Sequence, residues 1–499
     1  MKRILVLALA PVLWLSPASW ADSVVPTDRV RSHVVVREHS ERASRAVGRL
    51  RPGEQAEWLG TTGRWHRVRL ADETRGFVSA SFTELLRVPT PPFREGDVIR
   101  YREIDKIRPY LPKEVWDHRS LFFYEGLKLD VGPIQRDYSP AREYVAATER
   151  FRGRARLGPD NSLENYTAGQ PFPMDQIDCL GDPQAGAKII WNFDYQWRGD
   201  GARARWIYTY WDLGRRLPLW FEGSSKLIQL SHRVEPQHLD PKDGDIYPDE
   251  KRKFAFGVEV DAPFEARGIM LTSYRYKVSD RPPREANNDD TWVYLPKLRL
   301  VRRLSTAQRT DAVSGTDFTF DDLFSFAGMV PQYDWQCLGE QKIIAPMNTR
   351  VKAFPYDEEH YFGPYGLSYA DDRWELRDAV VVRMEPKNPN HPYLYKDIYL
   401  DKQTLVSLYS LAYDREGELW KIITHNHRWS GDESLTGAWH GDWAGIGEAR
   451  DLRYISDTIV NVQKGTGNRI EYWDSDGVPL EDENDMRLFI DVGRLTKGR

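Results

Sequence analysis

From Lys188 onward, apolar and polar residues alternate with a period of two. Ile189, Trp191, Phe193, Tyr195 and Trp197 fall on one side, with Asn192, Asp194 and Gln196 on the other. A period of two predicts a strand with one buried face. The pattern recurs at Trp206, Tyr208 and Tyr210, at Phe254, Phe256, Val258 and Val260, and at Met270, Thr272, Tyr274 and Tyr276. Further strands are predicted at Ala379–Met384, Tyr395–Leu400, Leu405–Tyr413, Leu419–Trp429 and Leu452–Val462. So many alternating segments with little helix between them predict a large antiparallel sheet. A sheet of that size curls, which gives it a concave face. Aromatics make up 12% of the chain, and they fall on these strand faces.

Two helical signals interrupt the pattern. Ser139 is placed to cap a helix with Pro140 in its first turn and Ala141, Tyr144, Val145 and Thr148 on one face. Thr319 with Asp322 reads as a capping box. Phe320, Leu323, Phe324 and Ala327 then form an apolar stripe, and Gly328 is a stop. Just upstream, Trp292–Leu295 reads as a strand, Pro296 as a break, and Arg299, Arg302 and Arg303 as a compact basic group. These arginines suit either an anionic headgroup or pairing with Asp289, Asp290, Asp321 or Asp322.

The first 92 residues are different in character. Lys2 and Arg3, the apolar run Ile4–Leu15 and the sequence Ser19-Trp20-Ala21 have the layout of a cleaved export signal, residues 1–21. The run is shorter than the roughly 20 residues of a membrane span. No cysteine follows it directly, so no lipid anchor is expected and the mature chain is expected in the periplasm. Residues 28–88 contain no lysine and twelve arginines. Short strands are predicted there at Val34–Arg37, Ala46–Leu50, Glu54–Leu59, Trp65–Leu70 and Gly76–Val78, with a turn at Gly60–Gly63. Residues 89–92, Pro-Thr-Pro-Pro, form a stiff linker.

Charge and motifs narrow the chemistry. The formal net charge of −5 argues against nucleic-acid binding. No nucleophile elbow, zinc-protease helix, phosphate loop or dinucleotide fingerprint occurs, so neither catalytic residues nor a cofactor is expected. His425 and His427 lack a third metal ligand at useful spacing, with His440 and Asp442 in a turn-rich stretch, so no metal site is assigned. Asp474-Ser475-Asp476-Gly477, with Glu481–Glu483 beyond, reads as a solvated turn rather than a calcium loop. Cys179 and Cys337, both followed by Leu-Gly and an acidic residue, are the two cysteines; export permits a disulfide, and two buried thiols fit as well.

The residues Val34-x-Val36-Arg37, Gly63-x-Trp65 with Val68, and Gly76-Phe77-Val78 resemble a bacterial Src-homology-3-type barrel over residues 28–88. That likeness implies docking to peptidoglycan or to a protein, and a packing or spacer domain fits the same residues as well. Residues 93–499 resemble domain-of-unknown-function family thirteen-twenty-nine, often described as outer-membrane lipoprotein-sorting-like. The matching phrases are Phe93–Ile99, Leu111–Trp116, Ala168–Pro173, Asp182–Asn192 and Asp290–Ser305. The wider likeness is to periplasmic lipoprotein carriers of the LolA/LolB-like superfamily. It implies an unclosed antiparallel half-barrel with a helical lid or plug. It also implies a hydrophobic cargo such as a lipid, acyl chain or lipoprotein. A resistance-nodulation-type inner-membrane transporter and an outer-membrane protein would be its partners. On this reading the cavity wall is Trp191, Phe193, Tyr195, Trp206, Tyr208, Tyr210, Phe254, Phe256, Trp292 and Tyr294. The lid is Phe320, Leu323 and Phe324, and Arg299, Arg302 and Arg303 are the rim. Tryptophan and tyrosine faces also stack on sugars, so a cell-wall glycan-binding or envelope-sensing module is the alternative.

Overall fold

The structure is a computed structural model. It describes residues 23–70, 72, 74–86, 91–179, 181–199, 201–212, 217, 219–284, 289–304, 309–350, 362–432, 450–476 and 491–496. The expected export signal, Pro89, Thr90, Ser305, His440, Asp442, Gly477 and Glu481–Glu483 lie outside them. The chain divides into two compact units, 1–92 and 93–499.

The first unit is a seven-stranded sheet in the order β3-β2-β6-β5-β4-β1-β7. Its strands are β1 (Ser23–Pro26), β2 (Val34–Arg37), β3 (Ala46–Leu50), β4 (Ala56–Thr62), β5 (Trp65–Arg69), β6 (Arg75–Ser79) and β7 (Thr83–Leu86). Val24, Val36, Val68 and Val78 form its fully buried centre. The expected turn at Gly60–Gly63 is shorter than the sequence suggested. β4 runs on through Thr62 because the register slips between Trp58 and Gly60, and Gly63 (φ +60°) with Arg64 makes the reversal.

The second unit opens with β8 (Val98–Arg100), α1 (Lys113–Asp117), β9 (Lys128–Val131), α2 (Arg142–Phe151), the small pair β10 (Arg156–Leu157) and β11 (Leu163–Glu164), and α3 (Ala185–Asp194). Six strands follow: β12 (Gly201–Asp212), β13 (Leu219–Gln229), β14 (Arg252–Ala262), β15 (Met270–Tyr276), β16 (Asp290–Leu295) and β17 (Leu300–Leu304). Then come β18 (Tyr333–Pro346), β19 (Arg373–Pro386), β20 (Tyr395–Asp401), β21 (Ser407–Tyr413), β22 (Leu419–Trp429), β23 (Leu452–Asn461) and β24 (Thr466–Asp476). Two antiparallel meanders, β12–β17 and β18–β24, join where β12 pairs with β24. With β8 and β9 they make one fifteen-stranded sheet, and it is not closed. The chain is mainly β, as the period-two pattern led one to expect.

The two halves of this sheet are covered differently. Around β18–β22, one face packs against the 93–131 segment through Ile107, Val115, Phe123 and Leu129. The opposite face packs against α3 and the segment around Phe326 and Val330. Gly186 sits where a Cβ would meet the Gln336 backbone at 2.7 Å, so glycine allows α3 to lie directly on β18. Cys179 and Cys337 form a disulfide at the same contact. Helical cover over β12–β16 is much thinner, and there the inner face borders open volume.

Four expectations are corrected. The stretch Lys188–Trp197 is not a strand: α3 occupies Ala185–Asp194, and Ile189, Ile190, Trp191 and Phe193 are all buried. A segment apolar on nearly every side satisfies periods of two and 3.6 alike, so burial decides. α2 begins at Arg142 with Ala141 at its N-cap, and Val145 points to solvent. Ser139 does not cap it because its hydroxyl bonds Asp137 at 2.5 Å. Phe320–Ala327 is not an α-helix but two short turns, with Leu323 extended and Phe324 at φ +56°. Asp474–Asp476 is the end of β24 rather than a turn.

Candidate functional site

The inner face of β12–β16 has a clear parity. Even-numbered residues of β12 and β14 and odd-numbered residues of β13, β15 and β16 point the same way. They line a partly open cavity of about 350 Å³, floored by Trp206, Tyr208, Phe221, Phe256, Val258 and Val293. Small-molecule sites span roughly 300–1,000 Å³. Ile470 and Tyr472 of β24, Tyr454 of β23 and His427 of β22 close the far wall. A second chamber of about 190 Å³ adjoins it toward Tyr166, Tyr195 and Lys253. The two share Gln196, Arg198, Leu227, Phe256, Leu271, Phe320, Leu323 and Phe324.

The shared divider is the broken turn 320–325, and it is held by charge. Asp322 is fully buried and accepts from Lys396 at 2.5 Å, Lys421 at 3.0 Å and the Tyr393 hydroxyl at 2.7 Å. Burial alone would raise its pKa, but the two ammonium groups outweigh this and hold it well below the usual carboxylate range. Thr319 donates to the Asp322 side chain at 3.0 Å. The Thr319–Asp322 pair therefore forms, yet no side chain caps the turn. Phe320, Leu323 and Phe324, expected as a lid, line both chambers on this anchored turn.

The smaller chamber also carries charged groups, and these pair with one another. Lys253 donates to Asp194 at 2.5 Å and Asp280 at 2.8 Å. Arg275 makes a two-pronged bond to Asp289 at 3.0 and 2.8 Å. Arg309 bridges Asp289 at 2.6 Å and Asp321 at 2.7 Å. Burial raises the Asp289 pKa, but Arg275 and Arg309 prevail and keep it below its ordinary value.

Several anticipated site residues line these chambers: Phe193, Tyr195, Trp206, Tyr208, Phe254 and Phe256. Others do not. Trp191 is a residue of α3 buried in the core against the sheet, its indole donating to the Asn161 carbonyl at 2.7 Å. Tyr210 lies beyond the cavity on the same side of β12. Trp292 and Tyr294 are on the opposite face of β16 from Val293, and Trp292 packs on Tyr274 with ring centroids 5.5 Å apart. Both faces of β16 are apolar, so sequence alternation could not tell them apart.

The arginines expected at a rim sit on the exposed edge. Arg299 makes the hairpin turn at φ +48° between β16 and β17. Arg303 pairs with Asp290 and covers the Trp292 ring at 5.9 Å. Arg302 is exposed. Asp289 and Asp321 are taken instead by Arg275 and Arg309, which the sequence pattern did not single out.

His425 and His427 project from β22 with ring centroids 6.4 Å apart. His425 meets Ser325 at 2.5 Å and the Tyr454 hydroxyl. Among the described residues, neither buried ring nitrogen of His427 has a hydrogen-bond partner, and burial pushes its pKa down to about 3. Among the described residues, no group of three His, Cys, Asp or Glu side chains is arranged to hold a metal. Beside them, burial pushes the Asp457 carboxyl up to about 8, against the opposing Tyr454 hydrogen bond.

These features define an open antiparallel sheet carrying a partly open apolar cavity. The chain belongs to the family described as protein of unknown function DUF1329, whose model matches residues 98–477. Among solved structures, a DUF1329 family protein from Desulfovibrio piger is 16% identical. The match covers 63% of this chain and 99% of that one, at a TM-score of 0.40. A putative outer membrane lipoprotein-sorting protein domain from Vibrio parahaemolyticus is 17% identical over 63% of this chain and 100% of that one, at a TM-score of 0.41. A LolA superfamily protein from Nitrosomonas europaea is 12% identical over 60% and 94%, at a TM-score of 0.31. At TM-scores under 0.5 the shared geometry is too loose to carry function between chains. No curated protein matches this chain. No helix among the described residues is long and apolar enough to cross a membrane.

Proposed function

We propose that the 93–499 unit is a non-enzymatic carrier that shelters a hydrophobic cargo, a lipid or acyl chain, in the cavity between β12–β16 and β22–β24. The cavity itself supports this reading: about 350 Å³ behind an aromatic and aliphatic wall. Burying cargo surface there supplies the binding energy, about 0.8 kcal/mol for each methylene removed from water. On this proposal the turn 320–325 is a fixed divider between chambers, because Asp322 ties it to β20 and β22. Export to the periplasm by removal of residues 1–21, docking through a Src-homology-3-type barrel at 28–88, and delivery to or from membrane partners complete the proposal.

The test is uptake of a fluorescent long-chain fatty acid by the purified mature protein. Saturable binding, competed by unlabelled lipid, is expected. Absence of saturable uptake, with native folding confirmed, removes the carrier reading.

A further inference from the structure

Arg198 stands at the wall shared by the two chambers, four residues past the end of α3. Its guanidinium lies 5.2 Å from the Phe193 ring centre and 4.8 Å from that of Phe324. Each of the other described cations lining the chambers has a carboxylate partner. Arg233 pairs with Glu235, Lys253 with Asp194 and Asp280, Arg275 and Arg309 with Asp289, and Arg453 with Asp451 at 2.8 Å. Arg198 has none among the described residues; its contacts are the two aromatic faces. Asp194 and Asp451 act on it through space, each bonded to another cation.

An arginine does not lose its proton in a protein, so this charge persists in an apolar setting. Arg198 is partly buried, so its charge loses part of its hydration without gaining a carboxylate partner among the described residues, and a bound oxyanion would offset that loss. The guanidinium fork suits a carboxylate or phosphate, donating to two of its oxygens at once. The larger chamber on one side is apolar, while the smaller chamber's charges are already spoken for.

We propose that Arg198 is the headgroup receptor of the cavity, and that the cargo is a single-chain anionic amphiphile. Its carboxylate or phosphate pairs with Arg198, and its alkyl tail runs along Phe256 and Val258 toward Trp206. This rests on the carrier reading and adds the cargo's chemical class and orientation.

The experiment compares hexadecanoate, its methyl ester and hexadecyl phosphate as competitors of a bound fluorescent probe. The full mature chain is used, as wild type, Arg198→Gln and Arg198→Lys. Wild type is expected to prefer hexadecanoate over the ester by at least tenfold. In Arg198→Gln that preference falls below threefold while ester affinity holds, and Arg198→Lys retains part of it. The ratio of phosphate to carboxylate affinity tells which headgroup the fork prefers. Equal affinity of acid and ester in wild type overturns the proposal, as does an undiminished preference in Arg198→Gln. If Arg198→Gln does not fold, the wild-type ratio and Arg198→Lys decide: full retention with lysine assigns the preference to charge without a fork, and no acid preference in wild type overturns it. Failure of all three competitors to displace a bound probe rejects the amphiphile; failure of any probe to bind rejects the carrier reading as well.

Discussion

Lys396 donates to the Asp322 carboxylate at 2.5 Å with both side chains closed off from solvent. Lys421 completes the pair of cations at 3.0 Å. One buried carboxylate thus bonds lysines from two separate strands and fixes the turn that divides the cavity. Asp322→Ala leaves two ammonium groups buried without a counter-charge, which costs on the order of 3–5 kcal/mol. Urea unfolding should show that loss. A change below about 1 kcal/mol would mean that the turn is held by packing alone.

The same relationship explains what the sequence could and could not disclose. Thr319 and Asp322 are three residues apart, and the capping pattern is visible. Lys396 and Lys421 are distant in the chain, and they draw the carboxylate away from the helix end it would have capped. The sheet was legible because segments such as Phe254–Val260 alternate large with small or polar side chains. α3 was not, because Ala185–Phe193 is apolar on almost every side and its parity was accidental. Trp292 was placed on the wrong face for a related reason: Val293 opposite it is equally apolar. Arg198 carries no motif, and only the absence of a carboxylate partner among the described residues sets it apart.

Filling the cavity tests the carrier reading from the other direction. Val258 points into the larger chamber from β14. Val258→Trp should occupy the tail's volume and weaken fatty-acid probe binding by tenfold or more, while thermal unfolding shifts by only a few degrees. Unchanged affinity in a folded variant would place the binding site elsewhere.

The Asp457 carboxyl, raised to about 8 by burial, makes stability depend on pH. Its folded pKa lies above the unfolded value, so the folded state binds the extra proton. Its contribution is full below the unfolded pKa near 4 and declines as pH rises through about 8. Asp457→Asn cannot ionise and should flatten that decline. Melting curves from pH 5 to pH 9 check this: the variant should gain relative to wild type at the alkaline end. A constant offset across the range would show that Asp457 does not titrate there.

The Cys179–Cys337 bond closes a loop with a sequence separation of 158 residues. On the chain-entropy model such a closure contributes at most roughly 5 kcal/mol. Replacing both cysteines with alanine should lower the unfolding free energy by about 2–5 kcal/mol. Probe affinity should hold, since neither sulfur borders the larger chamber. Loss of binding at full folding would tie the bond to the cavity instead.

The junction of β12 with β24 sets an order of events during folding. Trp206 lies opposite Tyr472, and both belong to the cavity wall. Until the strand at 466–476 is available, β12 presents an unpaired edge rich in aromatic side chains, the kind of edge that invites pairing between chains. Long-range pairing of this sort is slow to form. A chain cut before Thr466 would lack one wall of its cavity and should self-associate. Newly made protein therefore has its greatest need of a holding chaperone in the interval before its last strand arrives.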